Sequence, residues 1–290
     1  MTRSKWITRA LLLACVLIAP TPGSAQAPKP NQEITKLTDD VYVFRDRAHK
    51  ALFITTPEGV LVTDPISVEA ATWLKAEIKK LTNKPIRYVI YSHDHADHIT
   101  GGTVFADTAT FISHWKARRD ILMEKRPSTP VPELTFTDRL FIDLGGKHVE
   151  VIHVGKNHSD NSVVVLLPQD KLLFAVDFIP VEGVAYRNML DSYPEDWIES
   201  LKQVERLDFE ILVPGHGSIG RKEHVRMFRE YLEELMAEVR QYVMKGTSLE
   251  ETKKTLRLPK YEKWRGYPEW FVENIEALYQ YISLHRIPNP

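Results

Sequence analysis

The sequence is almost without cysteine, because its 290 residues include only one, Cys15. A single cysteine cannot form an intramolecular disulfide, and this one lies inside an apolar N-terminal run. The rest of the chain has no thiolate to offer. Any metal held there must therefore be bound by nitrogen and oxygen donors.

The chain also lacks an excess of either charge, since 38 Lys and Arg residues stand against 39 Asp and Glu residues. The formal net charge of -1 gives no basic field that would steer a polyanion toward the surface. We therefore expect no nucleic acid partner. The hydrophobic fraction of 43% is that of an ordinary globular protein.

A membrane-spanning run is missing from the N-terminus, where the apolar stretch 10–19 is well short of the roughly 18 to 20 residues that cross a bilayer. A helix-breaking, small-residue stretch follows at 20–27, and three basic residues precede the run: Arg3, Lys5 and Arg9. This layout predicts a signal peptide over 1–25, cut after Ala25. We expect a periplasmic or secreted protein with no stable membrane span after cleavage.

Beyond the leader, 26–33 is typical of a flexible connecting segment, and 34–246 then alternates short apolar stretches with amphipathic ones. Along the chain, a series of predicted strands is followed by a helix, and this order occurs twice. It indicates two βα layers. We expect 247–290 to be a C-terminal helical extension packed on the main domain. Strands are predicted at 41–46, 51–56, 60–64, 86–92, 109–114, 138–154 (a hairpin), 162–168, 171–177 and 210–214, and helices at 68–81, 115–125, 194–207, 221–246 and 268–284.

The densest group of metal-binding side chains is 93-HDHADH-98, which directly follows the predicted strand 86–92. Open α/β sheets place their sites at such strand ends. Imidazole nitrogens and carboxylate oxygens suit a borderline divalent metal such as zinc. A single zinc ion rarely takes five protein ligands, so the surplus of donors indicates two metal ions.

Three further donors stand at the ends of predicted strands or in turns: His158, Asp177 and His216. Asp177 closes an apolar run, where an unpaired buried carboxylate would be costly and a metal would remove that cost. The other histidines lack a glycine-rich turn or close polar partners in sequence, except His153, whose alternation with Val151 and Val154 favours a strand position. We expect them to be surface or structural side chains: His49, His114, His148, His153, His224 and His285.

In their order along the chain, these motifs resemble those of the metallo-β-lactamase superfamily. They are Asp64 in 61-LVTDP-65, the run 93–98, His158, Asp177 and His216. The resemblance implies an α/β fold, the four-layer αββα sandwich, here with an appended C-terminal helical segment. The catalytic domain would then be 34–246.

The resemblance also implies roles for these residues. A first zinc ion would be held by His93, His95 and His158, and a second by Asp97, His98 and His216. Asp177 would bridge the two ions, and Asp64 would be a structural carboxylate beside them. A hydroxide between the ions would be the nucleophile, and we expect catalysis to rest on Asp97, His95 and Asp177.

Three departures separate the chain from the zinc β-lactamases that its segments 84–102 and 158–178 resemble. Those enzymes have Cys where this chain has Asp177, Lys where it has Pro180, and a residue other than histidine where it has His98. The pair His98 and Asp177 instead resembles the second metal site of glyoxalase-II-type hydrolases. These features favour a broader zinc hydrolase.

The segment 179–194 would pass beside the metals, and it is polar and aromatic. Tyr186, Arg187 and Asn188 in it are candidates to bind a substrate carboxylate or to polarise a carbonyl. Asn161, close to His158 in sequence, is a further candidate for substrate binding.

The leading hypothesis is an exported dinuclear zinc hydrolase that cleaves a carbonyl bond in a small molecule, namely a β-lactam, lactone, ester or thioester. Three alternatives stay open. The first is a true metallo-β-lactamase, the second an iron persulfide dioxygenase that would use Fe²⁺, and the third a periplasmic metal-binding protein without catalytic activity.

Overall fold

The structure is a computed structural model that describes residues 31–267 and 269–285. The predicted signal peptide and Pro268 lie outside the described residues. The described residues form one compact unit. No helix in the described part of the chain is long and apolar enough to cross a membrane.

The first sheet has seven strands, arranged in space in their order along the chain. Its first four strands pair antiparallel, and from the fourth strand onward the pairing is parallel. The strands are β1 Gln32–Lys36, β2 Val41–Asp46, β3 His49–Thr56, β4 Gly59–Thr63, β5 Ile86–Ile90, β6 Thr110–His114 and β7 Leu134–Phe136.

The second sheet has six strands in the spatial order β13-β12-β11-β10-β9-β8. All pairs in it are antiparallel except β11 with β12, which run parallel. The strands are β8 Arg139–Leu144, β9 Lys147–His153, β10 Val163–Leu167, β11 Leu172–Ala175, β12 Ile211–Pro214 and β13 Gly220–Arg221.

Seven α-helices accompany the sheets in the described part of the chain. They are α1 Val68–Leu81, α2 Ala96–Ile99, α3 Trp115–Glu124, α4 Pro194–Glu205, α5 Lys222–Met244, α6 Leu249–Thr255 and α7 Glu269–Leu284. Helix α1 has the predicted bounds because Ser67 caps its first turn, where Ser67 Oγ accepts a hydrogen bond of 3.0 Å from Ala70 N.

Three apolar clusters separate the layers. In β3, Leu52 and Ile54 face the cluster between the two sheets, whereas Ala51 and Phe53 face the cluster under α1. Side chains of a strand alternate between its two faces, so a strand buried on both faces is apolar throughout. The third cluster lies between the second sheet and α4, α5 and α7. The predicted four-layer αββα arrangement is therefore present.

The C-terminal helices contribute to the third cluster rather than forming a cluster of their own. Phe271, Ile275 and Leu278 of α7 are buried in it beside Phe228 and Leu235 of α5. At the other end, β1 begins at Gln32, two residues before the predicted start of the domain at 34. Strands β1, β7 and β13 and helix α2 are additions to the elements predicted from sequence.

Candidate metal centre

The predicted donors meet where strands of both sheets end. His93 follows β5, Asp177 lies two residues after β11, and His216 lies two residues after β12. His158 comes from the connection between β9 and β10. The ends of the two sheets therefore bring together side chains that are more than a hundred residues apart, and these open onto a cavity of about 820 Å³.

One group of donors consists of His93, His95, His158 and Asp177, whose ligand atoms all lie within 4.8 Å of one another. His158 Nδ1 donates a hydrogen bond of 3.0 Å to the side-chain oxygen of Asn157. His93 Nδ1 lies 2.9 Å from Ser92 Oγ. Because the Nδ1 atoms of His93 and His158 have these partners, their Nε2 atoms are available to bind a metal ion within the group.

The buried nitrogens of this group show that a metal fits. Among the described residues, His93 Nε2 and His158 Nε2 are buried and have no hydrogen-bond partner. Burial lowers the pKa of His93 well below its ordinary value, and that of His158 to about 3. Both rings are therefore neutral at physiological pH, which is the state that coordinates a divalent cation.

The second group consists of His49, Asp97, His98 and His216, again with ligand atoms within 4.8 Å of one another. His98 Nε2 lies 3.2 Å from His216 Nε2 and 3.6 Å from Asp97 Oδ2. Two imidazole nitrogens that face each other at this distance repel unless a proton or a cation lies between them. The second group is thus also suited to hold a metal ion.

Asp177 lies between the two groups. Its Oδ2 is 3.6 Å from His93 Nε2 and 3.1 Å from His98 Nε2, and its Oδ1 is 3.3 Å from His216 Nε2. Burial favours the neutral acid, but His98, His93 and His216 together hold the pKa of Asp177 well below its ordinary value. An ionised carboxylate in this place can contact a cation in each group.

The backbone around Asp177 is shaped for this position. Asp177 has a φ of 67°, a left-handed conformation that aspartate tolerates better than most residues. The chain before His216 passes so close that a Cβ on Gly215 would lie 2.7 Å from Asp177 Oδ1 and 2.6 Å from Val176 Cγ1. Only glycine allows this approach, which brings His216 beside Asp177.

His49 is a site residue that the sequence reasoning missed. It was expected to be a surface or structural side chain, but the structure places its Nε2 3.2 Å from Asp97 Oδ2. Its backbone also forms a β-bridge with His216. The β2–β3 hairpin brings His49 to the site, where it pairs with His216, a residue 167 positions away in sequence. No local sequence pattern indicates such a contact.

Asp64 is fully buried beneath the second group. Its Oδ1 accepts a hydrogen bond of 2.8 Å from Ser92 N, and its Oδ2 lies 3.7 Å from His98 Nδ1. Burial raises the pKa of Asp64 to about 6, although His98 and Ser92 oppose the change. The carboxylate therefore supports the start of the histidine run and the ring of His98, in line with a structural role.

His98 and Asp97 take opposite charges when no metal is present. Burial opposes protonation of His98, but Asp177, Asp64 and Asp97 together raise its pKa to about 9. Burial likewise opposes ionisation of Asp97, but the hydrogen bond with His49 and the charge of His98 lower its pKa to about 2. In the second group, the positive charge of protonated His98 is thus compensated by the negative charge of Asp97 and of the neighbouring carboxylates.

The candidate substrate residues divide into two sets. Tyr186, Arg187 and Asn188 line the cavity. Asn161 does not line it, because its side chain is buried and its amide nitrogen donates a hydrogen bond of 2.9 Å to Asp94 Oδ1. The structure places the Asn161 side chain against the loop that carries His93 and His95, where it contacts Asp94.

Comparisons with known proteins agree with this geometry. The family described as the metallo-beta-lactamase superfamily matches residues 45–216. A metallo-beta-lactamase type 2 of Elizabethkingia meningoseptica is 27% identical over 74% of this chain and 89% of its own length. The alpha subunit of a 2,4-dinitroanisole O-demethylase of Nocardioides sp. (strain JS1661) is 25% identical over 68% of this chain. This chain spans 60% of the length of that subunit.

Solved structures show the same fold. A metallo-beta-lactamase from Pontibacter korlensis superposes with a TM-score of 0.59 at 22% identity, over 70% of this chain and 99% of its own. The family match covers more than half of the chain and includes every predicted metal donor. The chain belongs to the metallo-β-lactamase superfamily.

Proposed function

We propose that the protein is an exported dinuclear zinc hydrolase that cleaves a carbonyl bond in a small molecule. The observation that carries this proposal is the position of Asp177, within 3.6 Å of His93 and 3.1 Å of His98, between two groups of donors. Export is supported by the signal-peptide pattern of 1–25.

The choice of zinc is supported by the donor set. Both groups contain only imidazole nitrogens and carboxylate oxygens, with no thiolate. Imidazole and carboxylate suit zinc, although iron accepts similar ligands. Two zinc ions would lower the pKa of a water between them from about 15.7 to about 7 and would polarise a carbonyl oxygen.

Asp97 is the residue best placed to orient the attacking water. Its side chain is 52% exposed toward solvent, unlike that of Asp177 at 15%. Because its pKa is about 2, Asp97 stays ionised at neutral pH and can accept a hydrogen bond from water. His49, hydrogen-bonded to Asp97 Oδ2, fixes the direction of this carboxylate.

The bond type is supported by the shape and chemistry of the cavity. Apolar side chains such as Ile179, Val184 and Met189 line it, and so do six side chains of the two donor groups: His49, His95, Asp97, His158, Asp177 and His216. Such a cavity can hold the apolar part of a small ester, thioester or lactone while the carbonyl faces the donors. Substrate choice on this fold is set by surrounding loops.

The proposal is tested with zinc-loaded protein on a panel of one carbapenem, one acyl thioester, one lactone and one aryl ester. We expect turnover of at least one member and its loss in His95→Ala by at least about a hundredfold. His148→Ala is the matched control, because His148 pairs with Asp143 on the surface away from the cavity. No turnover of any member, or full activity in His95→Ala, would contradict the proposal.

A second candidate is β-lactam hydrolysis in particular, which the similarity to the enzyme from Elizabethkingia meningoseptica favours. The carbapenem in the panel separates the two possibilities. If the carbapenem is turned over far faster than the other substrates, the protein is a lactamase proper. If iron instead of zinc copurifies and oxygen is consumed with a persulfide, the zinc hydrolase is excluded.

A further inference from the structure

Arg265 brings a cation to the cavity from outside the part of the chain that matches the family. The family match ends at residue 216, and Arg265 lies between α6 and α7 in the C-terminal segment. Its backbone is fixed to the cavity wall: Arg265 N donates to Glu182 O at 2.8 Å, and Val184 N donates to Arg265 O at 3.1 Å. The residue is therefore held in place beside the segment that follows Asp177.

The side chain of Arg265 runs toward the second donor group. Its guanidinium packs over the indole ring of Trp270 at 5.6 Å. A Cβ on Gly217, directly after His216, would lie 3.3 Å from Arg265 Nη2, and a Cβ on Gly183 would lie 3.5 Å from it. Two glycines thus leave the space that the guanidinium occupies, next to the loop that carries His216.

In the part of the chain that the structure describes, the guanidinium of Arg265 has no anionic partner. Within residues 31–267 and 269–285 it forms no ion pair and donates no hydrogen bond, although it senses the charge of Asp177. The neighbouring cation Lys50 differs, because Lys50 Nζ donates a hydrogen bond to Gly217 O. Arg187, the other arginine of the cavity, donates a hydrogen bond of 3.0 Å from Nε to Tyr186 Oη. Among these three cations of the described residues, Arg265 is the one whose side chain donates no hydrogen bond.

A guanidinium that lines a cavity, with its backbone held by hydrogen bonds and its plane beside an aromatic ring, suits a planar oxyanion. The geometry points to Arg265 as the residue that binds a carboxylate of the substrate. On this basis, which rests on the proposed hydrolase function, the substrate is a carbonyl compound that carries a carboxylate. The C-terminal segment is then part of the substrate site.

The test compares two substrates that differ only in charge, the mono-4-nitrophenyl ester of glutaric acid and its methyl ester. In Arg265→Gln we expect KM for the free acid to rise about 10- to 100-fold, with kcat nearly unchanged, since the lost contact is a charged hydrogen bond made equally in ground and transition states. KM for the methyl ester should change less than about twofold. Arg265→Lys should retain part of the preference, because it keeps the charge and loses the planar fork.

Lys263→Gln is the matched control, because it removes an exposed cation two residues away that does not line the cavity. Equal effects of Arg265→Gln on both esters, or no effect on either, would overturn the inference. The inference would also be overturned if Arg187→Gln lost the preference for the free acid over the methyl ester while Arg265→Gln kept it. Thermal unfolding of each variant tests whether the folded state is retained.

Binding of glutarate, measured by isothermal titration calorimetry on the metal-loaded protein, separates this inference from the proposed function. We expect glutarate to bind at least about tenfold more weakly to Arg265→Gln than to Lys263→Gln. If no ester is hydrolysed but this difference is found, the hydrolase proposal fails and the carboxylate site stands. If esters are hydrolysed and glutarate binds both variants equally, the carboxylate site fails and the hydrolase proposal stands.

Discussion

At the scale of single residues, His49 shows how a side chain from a hairpin completes a site built by strand ends. Its Nε2 is 3.2 Å from Asp97 Oδ2, and its ring centroid is 4.5 Å from that of His216. His49 can orient Asp97 or contribute a donor of its own to the second metal. In either role, a metal ion held by the second group would depend on His49.

We expect His49→Ala to weaken binding of one zinc ion by about 10- to 100-fold, the usual loss when a supporting contact of a metal ligand is removed. The other zinc ion should bind as before. Competition with a chromophoric chelator measures both dissociation constants, and His148→Ala serves as the control. Unchanged binding of both ions would show that His49 acts on neither group.

The raised pKa of His98 predicts a pH dependence of metal uptake. Below pH of about 9 the metal-free protein holds a proton on His98, and this proton must leave when the ring coordinates a metal. Zinc affinity at the second site should therefore rise by about tenfold per pH unit up to pH about 9 and then level off. Chelator competition over a pH series measures it, and a flat profile would contradict the assignment.

Most of the donors that the structure brings together have a local signal in the sequence. His93, His95, Asp97 and His98 lie in one short motif, and the remaining donors each stand beside a strand end or a turn. His49 has no such neighbourhood, and its role depends on its contact with Asp97. Its part in the site could be recognised only from the folded chain.

At the scale of secondary-structure elements, α7 supports the wall of the cavity. Asn274 in α7 is fully buried, and its Nδ2 donates hydrogen bonds to Ala185 O and Arg187 O. Its side-chain oxygen accepts a hydrogen bond of 2.7 Å from Tyr231 Oη in α5. One side chain thus ties α5, α7 and the segment that carries Tyr186 together.

We expect Asn274→Ala to lower the free energy of unfolding by about 2 to 4 kcal/mol, because Ala185 O, Arg187 O and Tyr231 Oη all lose their partner, two of them in buried hydrogen bonds. It should also raise KM for any substrate that the protein hydrolyses, because the segment that forms the cavity wall loses its hydrogen bonds to α7. Tyr231→Phe is the comparison, because it removes a single hydrogen bond and should cost about 1 kcal/mol. Denaturant unfolding measures both changes, and equal losses would argue against a role of Asn274 in holding the wall.

Elements with strong periodicity were predictable, and short ones were not. Helix α1 begins and ends as predicted, because its apolar positions recur at helical spacing and Ser67 caps it. Strand β7 has three residues and helix α2 has four, so neither offers enough positions to show a period. Both depend on tertiary contacts for their conformation.

At the scale of the whole molecule, the C-terminal helices and the second sheet share one apolar cluster. Phe271 of α7 is 1% exposed and packs in the same cluster as Phe228 and Trp197. Removal of such a side chain should therefore affect the whole cooperative unit. The sequence predicted that this extension packs on the domain, but not that Arg265 and Trp270 from it line the cavity.

We expect Phe271→Ala to lower the free energy of unfolding by about 3 to 5 kcal/mol, as large-to-small changes of buried aromatic residues do. Unfolding should remain a single transition. The control is Met244→Ala, which removes a side chain that is 71% exposed and should have little effect. A separate early transition in Phe271→Ala would show that the C-terminal segment unfolds independently.

The central proposal is that each of the two groups of donors would hold a metal ion, with Asp177 within reach of both. Its most direct test is the zinc content per chain. The natural protein, His158→Ala and His216→Ala are each dialysed to equilibrium against zinc, and the bound zinc is then measured by inductively coupled plasma mass spectrometry. We expect about two zinc ions in the natural protein and about one in each variant, because each variant loses a ligand of a different ion. One ion in the natural protein, or two ions in either variant, would contradict the dinuclear centre.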